Sequence, residues 1–91
     1  MFYVYVLTST SSGKRYIGQT EDVQRRLKQH NTPEHNPRKF TSRNAGPWEL
    51  RHVEQYPTRA EAMRREKWLK SGAGREWLDS SIGRASPPQA D

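Results

Sequence analysis

The chain opens on Phe2-Tyr-Val-Tyr-Val-Leu7, aromatic or branched at nearly every position. Such a run predicts a strand covered on both faces, and therefore a central one. Ser9-Thr-Ser-Ser-Gly13 carries turn chemistry, and Lys14–Gln19 reads as the returning strand of a hairpin. A symmetric turn sets Thr8 opposite Gly13 and Tyr5 opposite Tyr16, with two phenols side by side on one sheet face. A helix is expected from Thr20 or Glu21 to His30 or Asn31, with Glu21 and Asp22 in its first turn where the dipole favours negative charge. Trp48–Tyr56 alternates as a third strand and Pro57 ends it. Thr58 and Glu61 have capping-box spacing and open a helix to about Lys70. Ser71-Gly-Ala-Gly74 is expected to break it, and Arg75–Asp79 to form a short last helix docking Trp77 and Leu78. The pattern is that of an α+β domain: a small three-stranded antiparallel sheet flanked by helices. The domain is expected to span residues 1–79, and residues 80–91, with Pro87 and Pro88, to be a disordered tail.

Thr32–Pro47 holds Pro33, Pro37, Gly46 and Pro47 and reads as a long loop. Loops of that length in a compact domain usually have a task. This one carries Arg38, Lys39 and Arg43 beside Phe40, a mixture suited to phosphate contact and base stacking.

Polar residues at positions due to face a core are the next signal. At 100° per residue, Val23, Leu27 and His30 share a stripe of the first helix, with Arg26 at its edge and Arg25 pointing away. Arg26 and His30 are four apart and therefore neighbours. The inward stripe of the second helix is Ala62, Met63, Leu69 and the stem of Lys70, with Glu66 in its middle. An inward carboxylate is costly unless it meets a cation or a metal; an ion pair with Arg26 would also satisfy it. Arg64, Arg65 and Lys67 fall to the outside. Gly18 either permits a bend or lets a substrate backbone approach. Two tyrosines, an arginine, a histidine and a lone glutamate thus converge on one sheet face. One carboxylate suits a magnesium ion completed by water and phosphate, and a guanidinium suits phosphate oxygens. That is equipment for phosphoryl transfer.

Composition sharpens this. The 91 residues carry a net charge of +6, which points to polyanions, nucleic acid first. Hydrophobic residues are only 31% of the chain, but nine aromatics, three of them tryptophan, compensate for few aliphatics. There is no cysteine, so disulfides and thiolate zinc sites are excluded. The apolar start is too short for a signal sequence and no run reaches membrane-spanning length, so a cytoplasmic protein, monomeric by default, is expected.

Tyr3-Val4-Tyr5 followed by Tyr16-Ile17-Gly18 resembles the paired motif of GIY-YIG nucleases. Arg26 with His30 is similar to that family's helix motif, and Glu66 to its metal-binding glutamate. The resemblance runs from about Phe2 to Leu78. It is strongest to small, single-domain bacterial members, which often read Lys-Ser-Gly-x-Gly-Arg-Glu where this chain has Lys70–Glu76. Two departures stand out: Tyr3 replaces the leading glycine, and no asparagine follows Glu66. The resemblance implies a metal-dependent endonuclease, acting on DNA before RNA. Glu66 would hold one divalent ion, Mg²⁺ or Mn²⁺. Tyr5 or Tyr16 would take a proton from the attacking water, with Arg26 and Lys14 as the cations that make a phenol a better base. His30 would orient a tyrosine or contact phosphate. Catalytic residues are thus Tyr5, Tyr16, Arg26, His30 and Glu66; substrate-binding residues are Lys14, Gly18, Arg38, Lys39 and Arg43. The alternative is a non-catalytic nucleic-acid binding module on the same fold.

Overall fold

The computed structural model describes residues 1–32 and 47–83. The elements are β1 (Phe2–Ser9), β2 (Arg15–Thr20), α1 (Val23–His30), β3 (Trp48–Tyr56), α2 (Arg59–Leu69) and α3 (Gly72–Ile82). The three strands form one antiparallel sheet in the order β2-β1-β3. β1 is central, as its two-faced apolar run requires, and Val4, Tyr5, Val6 and Leu7 are all buried.

Alternation along β1 divides the core in two. Val4 and Val6 join Ile17, Ala62, Leu69 and Leu78 under α2 and α3. Tyr5 and Leu7 join Trp48, with Tyr16, Val23, Leu27 and Leu50 packed round them, under α1. The domain is a three-layer sandwich in which α1 covers one face of the sheet and α2 and α3 the other. The small aliphatic content is enough because aromatic rings fill much of the α1 face.

The hairpin register differs from the symmetric expectation by two residues: Tyr5 pairs with Gly18, and Leu7 with Tyr16. The turn is the cause. Backbone amides of Ser11 and Ser12 donate to the Ser9 hydroxyl, and Gly13 adopts φ 76. That geometry closes the pair Ser9–Lys14, whose N–H···O bond is 2.8 Å, over a four-residue loop. A slip of two keeps every side chain on its face, so Tyr5 and Tyr16 still share one, now as diagonal neighbours.

The helix starts are set by side-chain caps. Asp22 is the cap of α1, accepting from the Arg25 amide, so the helix begins after the acidic pair and neither Glu21 nor Asp22 lies in its first turn. Thr58 caps α2 through the Glu61 amide, as the capping-box spacing indicates. Ser71 caps α3, which therefore begins at Gly72, inside the segment expected to be a break. At its far end α3 continues to Ile82, three residues beyond the expected boundary. Two arginines from the strands stabilise that extension. Arg15 donates to Asp79 and to the Gly83 carbonyl, both at 2.9 Å, and Arg51 to the Ile82 carbonyl at 3.1 Å. Cations at a helix C-terminus satisfy its unpaired carbonyls and oppose its dipole.

Two side chains of α2 depart from the expected helical wheel. Met63 is 52% exposed, because Ala62 and Leu69 alone fill the seam with β1. Arg65 turns inward and lays its guanidinium along the Glu54 carboxylate, with Nε at 2.8 Å and a terminal nitrogen at 3.0 Å. Glu54 also accepts from the Tyr56 hydroxyl at 2.6 Å and pairs with His52 Nε2 at 2.8 Å. Burial alone would raise the Glu54 pKa, but the hydrogen bonds from Arg65, His52 and Tyr56 outweigh it and bring it down to about 2. The lowered value makes the carboxylate a source of stability that is complete above its unfolded value of 4.5 and is lost as pH falls toward 2. Thermal melts from pH 5 to pH 2 should show that loss, on the order of 1–2 kcal/mol after allowance for solvent screening. Glu54→Gln should be less stable at pH 7 and should lose that part of the acid dependence.

Candidate active site

The site is built on the α1 face of the hairpin. β1 delivers Tyr5 and β2 delivers Tyr16, with ring centroids 6.1 Å apart. His30, on the last turn of α1, completes a triangle of rings: 5.8 Å to Tyr5 and 4.7 Å to Tyr16. Its Nε2 is hydrogen-bonded to the Tyr5 hydroxyl at 2.8 Å. Both partners of that bond are sealed, with Tyr5 1% exposed and His30 2%. Tyr16 is only partly buried.

Two contacts hold α1 in place to present His30. Asn31 donates through Nδ2 to the Trp48 carbonyl at 3.0 Å and accepts from the Trp48 amide at 2.6 Å. The amide group thereby clamps the end of the helix to the start of β3. Arg26, one turn before His30, donates to Gln29 Oε1 at 3.0 Å. Its Nε is buried and, with Nε of Arg15, has no hydrogen-bond acceptor among the described residues. Asn31 and Gln29 were not recognisable as site residues in the sequence. The signal for Asn31 was a polar residue just past a helix end, which reads first as an ordinary cap.

The surroundings of Tyr5 fix its protonation state. Burial, and then the proximity of Tyr16, push the Tyr5 pKa up to about 12, although the Arg26 guanidinium beside it pulls the other way. Tyr5 therefore stays protonated and acts as a hydrogen-bonding partner of His30. Of the two residues, Tyr16 is the one that is partly exposed.

Gly18 is required by the same packing. A Cβ at this position would lie 2.8 Å from the Tyr5 hydroxyl and 3.0 Å from Cε2 of Tyr16. Gly18→Ala should displace both rings and break the Tyr5–His30 bond. The expected cost is about 1–3 kcal/mol in a chemical melt, together with a change in the near-ultraviolet tyrosine signal.

The structure thus brings Tyr5, Tyr16, Gly18, Arg26 and His30 together. Glu66 stands differently from the single-face arrangement that the helical wheels predict. Its helix covers the opposite face, because Ala62 and Leu69 dock on Val4, Val6 and Ile17. The carboxylate accepts from Lys70 Nζ at 2.7 Å, with its side chain 20% exposed, and does not pair with Arg26. A cleft of 510 Å³ links the two layers at the open end of the hairpin. Arg25, Arg26 and Gln29 of α1 line it with Gln19 and Thr20 of β2, Phe2 of β1, Arg59 of α2 and the acidic pair Glu21 and Asp22, of which Glu21 meets Arg59 at 3.7 Å. Glu66 lies seven residues after Arg59, which places it on the same stripe of α2, two turns or about 10 Å further along. Lys14, on the hairpin turn, is exposed. Arg38, Lys39 and Arg43 lie outside the described residues.

Among the described residues no three His, Cys, Asp or Glu side chains cluster as a metal cage. The expected donor, the Glu66 carboxylate, stands in the α2 layer, and the acidic residues Glu21 and Asp22 line the cleft itself. A single hard oxygen fits a Mg²⁺-type ion, which keeps most of its waters and takes the rest of its ligands from a phosphate; it does not fit zinc, which needs three or four protein ligands. No helix among the described residues is long and apolar enough to cross a membrane.

Comparison with known proteins gives consistent results. Residues 1–76 match the family model described as the GIY-YIG catalytic domain. A UPF0213 protein of Halobacterium salinarum is 44% identical over 70 residues, covering 77% of this chain and 86% of the relative. A second, from Haloquadratum walsbyi, is 41% identical over 69 residues, covering 76% and 73%. Among solved structures, the NMR structure of a UPF0213 protein from Bacillus halodurans superposes with a TM-score of 0.52 at 38% identity, covering 91% of this chain and 87% of that one.

Proposed function

The chain belongs to the GIY-YIG family, and on that premise we propose that it is a metal-dependent endonuclease that hydrolyses phosphodiesters of nucleic acid, DNA in the first instance. The observation that carries this reading is Arg26: one guanidinium stands against the Tyr5 phenol and also lines the cleft that Arg25 and Arg59 share. A phosphate held in that cleft by Arg25, Arg26 and Arg59 would lie beside the tyrosines.

Tyr16 is the residue we assign to the proton of the attacking water, because it is partly exposed while Tyr5 is sealed and raised to about 12. Tyr5 and His30 position it, through the ring contacts at 6.1 and 4.7 Å. Arg26 would neutralise charge that grows on the phosphoryl oxygens. Glu66 would hold the divalent ion, Mg²⁺ or Mn²⁺, after releasing Lys70. When bound, such an ion supplies stabilisation of the departing 3′ oxygen. In-line attack by water would leave a 5′-phosphate and a 3′-hydroxyl.

The test is a panel of end-labelled duplex, single-stranded, flap and branched substrates incubated with Mg²⁺ or Mn²⁺ and with EDTA. Cleavage that EDTA stops is expected. Glu66→Ala should abolish it, and Tyr16→Phe should reduce it by about 10²-fold or more, both with unchanged circular dichroism. Unchanged cleavage by Glu66→Ala removes the mechanism. Salt-sensitive binding without cleavage of any substrate would establish a non-catalytic binding module instead.

A further inference from the structure

Away from the cleft, the α2–α3 side of the molecule carries a second grouping of aromatic and cationic residues. Trp68 of α2 and Trp77 of α3 stand with ring centroids 6.3 Å apart at an interplanar angle of 65°. The Arg65 guanidinium lies over both, 4.6 Å from one centroid and 4.9 Å from the other. It cannot swing away, because Glu54 holds it by two hydrogen bonds. His52 meets the edge of Trp77 at 5.3 Å.

This assembly is preorganised, yet unfinished on one side. Tryptophans at a seam between two helices are normally well covered, but Trp68 remains 37% exposed and Trp77 36%. Arg64, one turn before Trp68, is an exposed cation on the same side of α2. The acid at the centre, Glu54, is neutralised by Arg65, so it does not repel a polyanion. Partly exposed indoles beside one fixed cation and one exposed cation suit a ligand with flat rings and a phosphate backbone.

We propose that the Trp68–Arg65–Trp77 cluster is a binding platform for the bases of single-stranded nucleic acid, separate from the cleft. It lies on the β3 side of the opposite sheet face, and β2 borders the cleft. The inference does not depend on cleavage; it requires only that the chain binds single strands.

The experiment uses the full chain in EDTA at low salt, titrated with an oligothymidine of about 12 nucleotides, a length within the range one small domain covers. Stacking should quench tryptophan fluorescence, leaving a residual from Trp48, which is 3% exposed. Trp68→Ala and Trp77→Ala should each weaken binding at least about fivefold, and Trp77→Phe should retain most of it. Because a tryptophan-to-alanine variant can lose its fold, the quench in the unaltered chain and the phenylalanine variant carry the result in that event. Absence of quenching overturns the proposal. So does wild-type affinity in both folded alanine variants, equal quenching by a blunt duplex, or quenching by an acidic peptide but not by the oligonucleotide.

Discussion

Arg26→Ala should lower the rate of phosphodiester cleavage by about 10²–10³-fold, equivalent to roughly 3–4 kcal/mol of transition-state stabilisation, while the domain stays folded. Arg26 is half-buried, and its Nε has no acceptor among the described residues. Removing the side chain therefore deletes a buried donor that the resting protein leaves unpaired. The stability cost is limited to the bond to Gln29, the interaction with the Tyr5 hydroxyl and the packing of the stem. The same substitution has a spectroscopic signature. Arg26 opposes the forces that raise the Tyr5 pKa to about 12, so an ultraviolet titration of the variant should show that phenol ionising at still higher pH. Arg26→Lys should recover charge but not the planar fork, and so only part of the rate. A rate within threefold of wild type in Arg26→Ala would exclude the guanidinium from the reaction.

Gly74→Ala should have the largest effect on stability. Here α3 crosses the end of α2 so closely that a Cβ at position 74 would sit 2.5 Å from Leu69 Cα and collide with the Trp68 carbonyl oxygen. Both obstacles are backbone, and neither can rotate away. The helices must separate, which would open the seam holding Leu69 and Leu78, both fully buried. Overpacking usually costs 1–3 kcal/mol, and a rigid backbone clash belongs at about 3 kcal/mol or beyond. For a domain of this size that corresponds to a fall in Tm of roughly 12–24 °C. Gly72→Ala is the matched control: nothing lies within 4 Å of its Cβ, and it should be neutral or slightly stabilising.

These two glycines show which part of the architecture was legible in sequence. Ser71-Gly-Ala-Gly74 reads locally as a breaker, yet Ser71 caps a new helix and Gly74 serves a contact with the helix before it. Contacts between elements leave no local periodicity, so such a glycine looks like loop chemistry. The central position of β1, the limits of β3 and the Thr58 cap were readable because each depends on its own few residues. The hairpin register was not, since the Ser9 hydroxyl decides it by holding a four-residue loop.

The candidate site divides in the same way. Tyr5, Tyr16, Gly18, Arg26 and His30 were visible because each lies on β1, β2 or α1, adjacent in sequence and in space. Helical wheels identified Glu66 as an anomaly on α2 but could not determine which sheet face that helix would cover. Arg65 was misplaced for a related reason: its partner Glu54 sits on β3, and a wheel knows nothing of the strand below it.

The Asn31 clamp has a consequence for how this scaffold can be altered. Two hydrogen bonds tie the chain at Asn31 to the chain at Trp48, seventeen positions later. With both ends fastened there, the length of what joins them matters little to the rest of the domain: doubling a tethered segment costs only about 0.6 kcal/mol in closure entropy. The clamp therefore holds His30 and its two phenols against the start of β3 through contacts that do not involve the intervening residues.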